Sequence, residues 1–217
     1  MIITNAEVYG EREMSDDKKL TKRQIHANQT REKLLEAGKV IFLKEGFQKT
    51  TMTKINKLAH TGYGTGYAHF KNKDALFVEL MESIMEKMFT LADLPFFPTN
   101  KNEARDLIKH QVYLFKELSL KEQEIMLVIK EAIGISETVK QKWDEIQTRF
   151  IDGIARDIKN LKKHDLFKTQ LSISLISRAW YYLNEQIMWD LILGNIDKDL
   201  DNITDDLTEF YMNGIYR

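Results

Sequence analysis

The sequence of 217 residues contains no cysteine and only two prolines. Without cysteine, the chain can form no disulfide framework, no cysteine-ligated zinc or iron–sulfur site and no cysteine nucleophile. No apolar run approaches the roughly 18–20 residues that a membrane span requires, and no charged segment followed by an apolar stretch indicates a secretory signal. We therefore expect a cytoplasmic protein with no membrane partner, and the scarcity of proline favours long helices.

The sequence patterns of common enzymes and metal sites are also missing. The five histidines, at positions 26, 60, 69, 110 and 164, form no His-x-x-x-His pair of the kind that binds zinc on a helix. No Gly-x-Ser-x-Gly nucleophile elbow occurs. The acidic residues between 199 and 206 lack the glycine and the final glutamate of a calcium loop. The sequence thus predicts no catalytic residue, no metal and no cofactor.

Charge is divided unevenly along a chain whose net charge is only −1. Residues 18–80 hold 13 lysines and arginines against five acidic residues, whereas residues 1–17 and 81–217 are both net acidic. A compact basic segment beside an acidic remainder is typical of a chain that binds a polyanion at one end. The alternative for this segment is a lysine-rich surface that only contacts solvent.

Apolar residues recur at spacings of three and four through most of the chain and never alternate with a period of two over the length of a strand. The pattern predicts an all-α protein. Gly46 is expected to end the first helix, and a segment containing Pro95 and Pro98 marks the boundary between two units. Predicted helices after the N-terminal region span about residues 73–92, 101–118, 120–134, 137–163, 168–194 and 199–216.

Two short helices between Thr51 and Phe70, joined by a tight turn at residues 60–62, follow the longer first helix. This order is that of a helix-turn-helix, in which the second short helix faces the major groove and its neighbours hold phosphates. Lys73 falls at the positive end of a helix dipole, where a bound phosphate would make a lysine favourable; an exposed, nearly neutral lysine is the alternative. The candidate DNA-binding residues are Thr51, Thr53, Tyr63, Gly64, Thr65, Tyr67, His69, Lys71 and Lys73.

The stretch from residue 30 to residue 82 resembles the DNA-binding domain of the TetR family of bacterial transcriptional regulators. The resemblance implies a flexible leader (1–20), a three-helix DNA-binding domain (21–72), a connecting helix (73–93) and a helical ligand-binding and dimerisation domain (94–217). The matching positions are Arg31, Leu34, Leu35, Ala37, Ile41, Phe42, Gly46, Phe47, Thr50, Thr51, Ile55, Ala59, Gly64, Thr65, Tyr67, Phe70, Lys73 and Leu76.

Three residues depart from the family pattern. Asn56 stands where the family usually has alanine, His60 takes a turn position usually held by glycine, and Gly66 replaces an aliphatic residue. Histidine tolerates the left-handed conformation better than most residues, so the turn is expected to persist. Gly64 and Gly66 in one short helix cost roughly 2 kcal/mol relative to alanine, and we expect this helix to be mobile until DNA orders it.

By the same resemblance, the second unit encloses a small-molecule pocket and forms a homodimer through its last two helices. Methionine and aromatic side chains make adaptable pocket walls, although most such residues simply form core. For Asn184, satisfying a backbone group is the alternative to binding a ligand. The candidate ligand-binding residues are Met88, Tyr113, Met126, Trp143, Gln147, Phe150, Trp180, Tyr181, Asn184 and Met188. The candidate dimer residues, which could equally be core, are Leu171, Leu175, Ile176, Ala179, Leu183, Ile203, Leu207, Phe210 and Tyr211.

The resemblance implies a repressor that binds a palindromic double-stranded DNA operator as a homodimer and is released by a small apolar or amphipathic effector. In a dimer, two recognition helices about 34–36 Å apart match one turn of the double helix. The alternatives are a helical protein-interaction module that does not bind DNA and, less favoured, a small-molecule enzyme.

Overall fold

The computed structural model of the chain describes residues 21–163, 166–167, 170–197 and 199–215. Within these residues the chain forms nine α-helices and no strand, which confirms the predicted all-α fold. The predicted flexible leader, residues 1–20, lies outside the described residues. The helices are α1 (Lys22–Lys49), α2 (Met52–Leu58), α3 (Tyr63–His69), α4 (Lys73–Ala92), α5 (Lys101–Lys121), α6 (Gln123–Ile133), α7 (Glu137–Lys163), α8 (Ile173–Leu193) and α9 (Leu200–Ile215).

Side-chain caps fix where the N-terminal helices begin. Thr21 and Gln24 form a reciprocal capping box at the start of α1, while Thr51 and Asn72 accept backbone N–H groups at the starts of α2 and α4. Such caps satisfy donors that a helix leaves unpaired in its first turn. They place three helices and the beginning of a fourth within about seventy residues, as the sequence pattern predicts.

Two residues with positive φ shape this N-terminal region. Gly46 (φ 78°, ψ 173°) interrupts α1, so the predicted break is correct, although one further helical turn reaches Lys49. A side chain at position 46 would also meet the Glu131 carboxylate, whose nearer oxygen lies 2.8 Å from the ideal Cβ position. His60 adopts the left-handed conformation (φ 52°) in the turn between α2 and α3. The predicted turn geometry is therefore confirmed.

One hydrophobic core runs from the first three helices into the rest of the chain. Phe77 of α4 makes edge contacts with Phe42 and Phe47, with ring centroids 4.7 and 5.1 Å apart. The same cluster continues through Met126 of α6 and Trp143 of α7. The proline-containing segment separates α4 from α5 along the sequence but does not separate two hydrophobic cores.

A second core cluster joins α5, α7 and α9 at the other end of the molecule. It contains Ile108, Ile158, Leu207 and Tyr211 among its buried residues. The eighth helix begins at Ile173, a few residues later than predicted, because the Ser172 side chain caps it by accepting the N–H of Leu175. None of the described helices is long and apolar enough to cross a membrane.

Candidate DNA interface and ligand cavity

The exposed side of α2 and α3 carries most of the predicted DNA-binding residues. Thr51, Thr53, Gly64, Thr65 and Lys71 are exposed, and His69 is half-buried. Tyr63 and Tyr67 are 65% and 40% exposed, and their rings lie 4.8 Å apart on adjacent turns of α3. A hydrogen bond with the Tyr63 hydroxyl raises the pKa of Tyr67, so the Tyr67 phenol stays protonated near neutral pH. Exposed aromatic side chains of this size are available to a binding partner rather than to the core.

Arg31 of α1 holds the end of α3 in place. Its guanidinium pairs with the Glu79 carboxylate of α4 and donates to the backbone oxygen of His69 at 3.0 Å. The same group lies over the Phe70 ring, 4.3 Å from its centroid. Because three N–H donors are fixed by partners on different elements, the guanidinium sets the position of α3 against α1 and α4.

Asn56 and Gly66, two of the departures from the family pattern, are in direct contact. Gly66 is buried, and a Cβ built on it would lie 1.8 Å from Oδ1 of Asn56, which is itself buried in α2. Oδ1 also accepts a hydrogen bond from Thr61 in the turn at 3.3 Å. The longer side chain on α2 thus occupies the space that an aliphatic residue on α3 would fill. The two departures compensate each other sterically.

Lys73 has an internal role that the sequence pattern does not reveal. Its Nζ donates to the backbone oxygens of Phe47 and Gln48, at 2.7 and 3.1 Å, and lies 4.5 Å from the centroid of the Phe47 ring. A cation at the carbonyl end of a helix is favourable, which offsets its placement in the first turn of α4. Lys73 therefore joins α4 to the end of α1, and its phosphate contact stays a prediction.

A cavity of about 160 Å³ lies between α4, α5, α7 and α8. Its walls are mainly methionine and aromatic side chains, as predicted. Of the ten candidate ligand-binding residues, eight line it: Met88, Met126, Trp143, Phe150, Trp180, Tyr181, Asn184 and Met188.

Tyr113 and Gln147 are not in the cavity lining. The cavity face of α5 carries Val112, Phe115 and Lys116. Tyr113 is rotated by about 100° from Val112 around the helix and lies outside the lining, so its contact with a ligand stays a prediction. Gln147 instead supports the wall, because its Nε2 donates to both oxygens of Glu185 at 2.9 Å.

The sequence pattern did not predict three charged residues of the cavity wall, Lys116, Asp157 and Glu185. Burial lowers the pKa of Lys116 from 10.5 to about 7, and Lys116 is only 2% exposed. Burial also raises the pKa of Asp157 to about 6 and, together with the nearby Glu185, raises that of Tyr181. Lys116 falls on the apolar stripe of α5 between Val112 and Ser119. A lysine within such a stripe was the available sign of a buried charge.

Comparison with known proteins shows which family the N-terminal region matches. Residues 34–80 match the family model described as bacterial regulatory proteins, tetR family. The chain is 41% identical over 77 residues to the uncharacterised HTH-type transcriptional regulator YhgD of Bacillus subtilis, covering 34% of this chain and 40% of that protein. It is 26% identical to the HTH-type transcriptional regulator QacR of Staphylococcus aureus, over 57% of this chain and 65% of QacR. The chain thus spans less than two thirds of these two relatives.

The match extends beyond the DNA-binding region at the level of the fold. A further relative, YdeS of Bacillus subtilis, is 26% identical over 84% of both chains. The crystal structure of NalD from Pseudomonas aeruginosa superposes with a TM-score of 0.67 at 19% identity, over 89% of this chain and 98% of NalD.

Residues 34–80 match the TetR family, and the whole chain has the fold of NalD.

The predicted dimer residues divide into an exposed and a more buried set. Leu171, Leu175, Ala179 and Phe210 are exposed, with Leu175 and Phe210 at 66% and 68%. The half-buried residues, which pack against the second core cluster, are Ile176, Leu183 and Ile203.

Leu207 and Tyr211 are corrections to the predicted dimer surface. Both are 7% exposed and belong to the core that α9 forms with α5 and α7. Tyr211 also stacks on Trp180, with ring centroids 4.1 Å apart, and lines the cavity. The side of α9 that carries them faces its own chain, so only the opposite side, with Phe210, remains open to a second copy.

Proposed function

We propose that this chain is a DNA-binding transcriptional repressor of the TetR type that binds a palindromic operator as a homodimer and is released by a small amphipathic effector. The observation that carries the proposal is the exposed tyrosine pair, Tyr63 and Tyr67, on the second helix of a helix-turn-helix. The surrounding segment of the chain has a strong excess of positive charge. NalD, which shares the fold, is named as the secondary repressor of a multidrug efflux pump.

The exposed side chains would have different roles in the DNA interface. Thr51, Thr53 and Lys71 would contact phosphates and set the position of the domain, while Tyr63 and Tyr67 would face the groove. Gly64 would let the backbone of α3 come close to the DNA, because nothing lies within 4 Å of its ideal Cβ position, whereas Gly66 faces Asn56 of α2. This arrangement supports few direct base contacts and a large electrostatic contribution to affinity.

The salt dependence of binding tests the DNA assignment. Binding of the intact protein to the DNA upstream of its own gene is measured by fluorescence anisotropy at several salt concentrations. Lys71→Ala is expected to reduce the slope of log affinity against log salt by about one. Lys101→Ala, an exposed lysine at the start of α5, is the matched control and should leave the slope unchanged. Equal slopes for both variants and the wild type would contradict the proposed interface.

Effector control requires a physical connection between the cavity and α3. Helix α4 supplies one, because Met85, Met88 and Ala92 line the cavity while Lys73, at its other end, is bonded to the end of α1. A ligand can shift the operator-binding equilibrium only by its difference in affinity between two conformations. We expect the effector to favour the conformation in which the recognition helices of the dimer are wrongly spaced. The fold neighbour SmeT was solved as a complex with triclosan, which supports a small-molecule effector for this chain.

A further inference from the structure

The cavity wall contains a buried cation without an anionic partner. Lys116 lines the cavity at 2% exposure, and its Nζ donates to the backbone oxygen and to Oδ1 of Asn184, at 2.8 and 3.1 Å. Both acceptors are neutral, and Lys116 forms no ion pair among the described residues. An ammonium has three N–H donors, so one remains for a ligand. Burying a charge that is not paired is costly.

The two acidic residues of the cavity wall, Glu185 and Asp157, already interact with donors or with a positive charge. Glu185 already accepts hydrogen bonds from Nε1 of Trp143 and Nε2 of Gln147, each at 2.9 Å. Asp157 is close enough to Arg156 for that positive charge to oppose the effect of its burial. Their negative charges are therefore partly compensated by fixed donors or by a neighbouring cation, whereas Lys116 has only neutral acceptors.

We propose that the effector is an amphipathic organic acid whose single anionic headgroup binds Lys116 and whose apolar body lies among the methionine and aromatic side chains of the cavity. The inference names the ligand class of the proposed regulatory site and so rests on that proposal. Met85, Met88, Phe150 and Trp180 provide the apolar walls. A cavity of about 150 Å³ holds benzene, so the body that fits the cavity as it stands is a single ring or a short chain.

Binding of an acid also changes the protonation of the site. Because burial lowers the pKa of Lys116 to about 7, its amine is mostly neutral above that pH. A carboxylate beside it favours the ammonium form, so the amine takes up a proton from solvent when the acid binds. The other titratable groups that line the cavity are Asp157, Glu185, Tyr181 and Tyr211. Lys116, with its pKa of about 7, is the lining amine that takes up a proton beside a carboxylate at pH 8.

Three ligands of equal length test the headgroup preference: octanoate, 1-octanol and octylamine. Their binding to the intact protein is measured by titration calorimetry near pH 8, in buffers that differ in ionisation enthalpy. Octanoate is expected to bind roughly 10- to 100-fold more tightly than octanol, as a charge-assisted hydrogen bond allows. It should take up about one proton per site, whereas octanol should take up none.

Variants assign the effect to one side chain. Lys116→Met should remove both the preference for octanoate and the proton uptake while still binding octanol. Lys121→Met, an exposed lysine on the same helix, should change neither. The ranking of the three ligands on the wild-type protein needs no variant, so misfolding of Lys116→Met would not prevent the test.

Three results would overturn the inference: equal affinity for octanoate and octanol, tighter binding of octylamine, or no binding of octanoate. Operator binding is measured on the same protein samples. DNA binding without headgroup discrimination would defeat the inference and leave the proposed repressor function intact. Headgroup discrimination by Lys116 without DNA binding would defeat the repressor function instead.

Discussion

Raising the pH from 7 towards 9 should stabilise the native protein through Lys116. In the unfolded chain this lysine titrates near its ordinary pKa of 10.5, whereas burial lowers the pKa to about 7 in the folded protein. Between these values the unfolded chain binds one proton more than the folded chain, so the free energy of unfolding increases with pH. Below pH 7 both states carry the charge, and the destabilising effect of its burial is fully present.

The size of the effect follows from the difference between the two pKa values. Each pKa unit is worth about 1.4 kcal/mol, so the full effect between pH 7 and 10.5 is on the order of 5 kcal/mol, of which about 2 kcal/mol falls between pH 7 and 9. Asp157, with a pKa of about 6, titrates below this range. The raised pKa of Tyr181 acts above it, because that phenol ionises more readily in the unfolded chain.

Urea unfolding followed by tryptophan fluorescence measures this dependence at pH 7, 8 and 9. The wild type should gain stability with pH relative to Lys116→Met, which has no titrating group at that position. Lys121→Met should follow the wild type, because its side chain is exposed. Parallel pH profiles for the wild type and Lys116→Met would refute the claim that Lys116 is buried with a lowered pKa.

Three further changes test other parts of the structure. Gly66→Ala should destabilise the protein by about 1–3 kcal/mol through overpacking against Asn56. Adding Asn56→Ala to the same chain should show a coupling energy of at least about 0.5 kcal/mol in a double-mutant cycle measured by urea unfolding. Purely additive effects of the two substitutions would contradict the contact. Leu175→Glu should leave the thermal midpoint of an isolated subunit nearly unchanged, since the side chain is 66% exposed, but should shift sedimentation from dimer to monomer; an unaltered dimer would place the interface elsewhere. Asp157→Asn should stabilise the protein at pH 7.5 by about 1 kcal/mol, allowing for its partial exposure, and this gain should vanish near pH 4.

The sequence predicts features that depend on residues close together in the chain. It does not predict features that depend on contacts between distant elements. The helix-turn-helix follows from caps, a turn and helical spacing, all of which are local. The eight predicted residues that line the cavity lie on helix faces that the apolar pattern predicts to be buried. The same stripes cannot distinguish a face buried within one chain from a face buried between two chains, which is why Leu207 and Tyr211 were assigned to the dimer surface. The contact between Asn56 and Gly66 joins two helices, and no spacing rule predicts it.

The short helical turn after Gly46 is hydrogen-bonded to side chains of both α4 and α6. Lys73 of α4 binds the backbone oxygens of Phe47 and Gln48, while the Glu131 carboxylate of α6 accepts their two N–H groups at 2.9 and 3.1 Å. The turn is thus held from both sides by charged groups on different helices. Because hydrogen bonds to charged groups are stronger than neutral ones, this turn should move with α4 and α6 rather than independently.

The same two helices contribute to the cavity wall, through Met88 of α4 and Met126 of α6. A ligand that changes the separation of these methionines would change the relative position of Lys73 and Glu131 as well. Four hydrogen bonds would then have to stretch, or the turn that leads to the cap of α2 at Thr51 would have to shift. Such a shift reorients α2 and α3 together, because Asn56 and Gly66 are in contact. Under the proposed function, we therefore expect a ligand of about the cavity's size to alter the orientation of Tyr63 and Tyr67 through contacts already present in the folded chain.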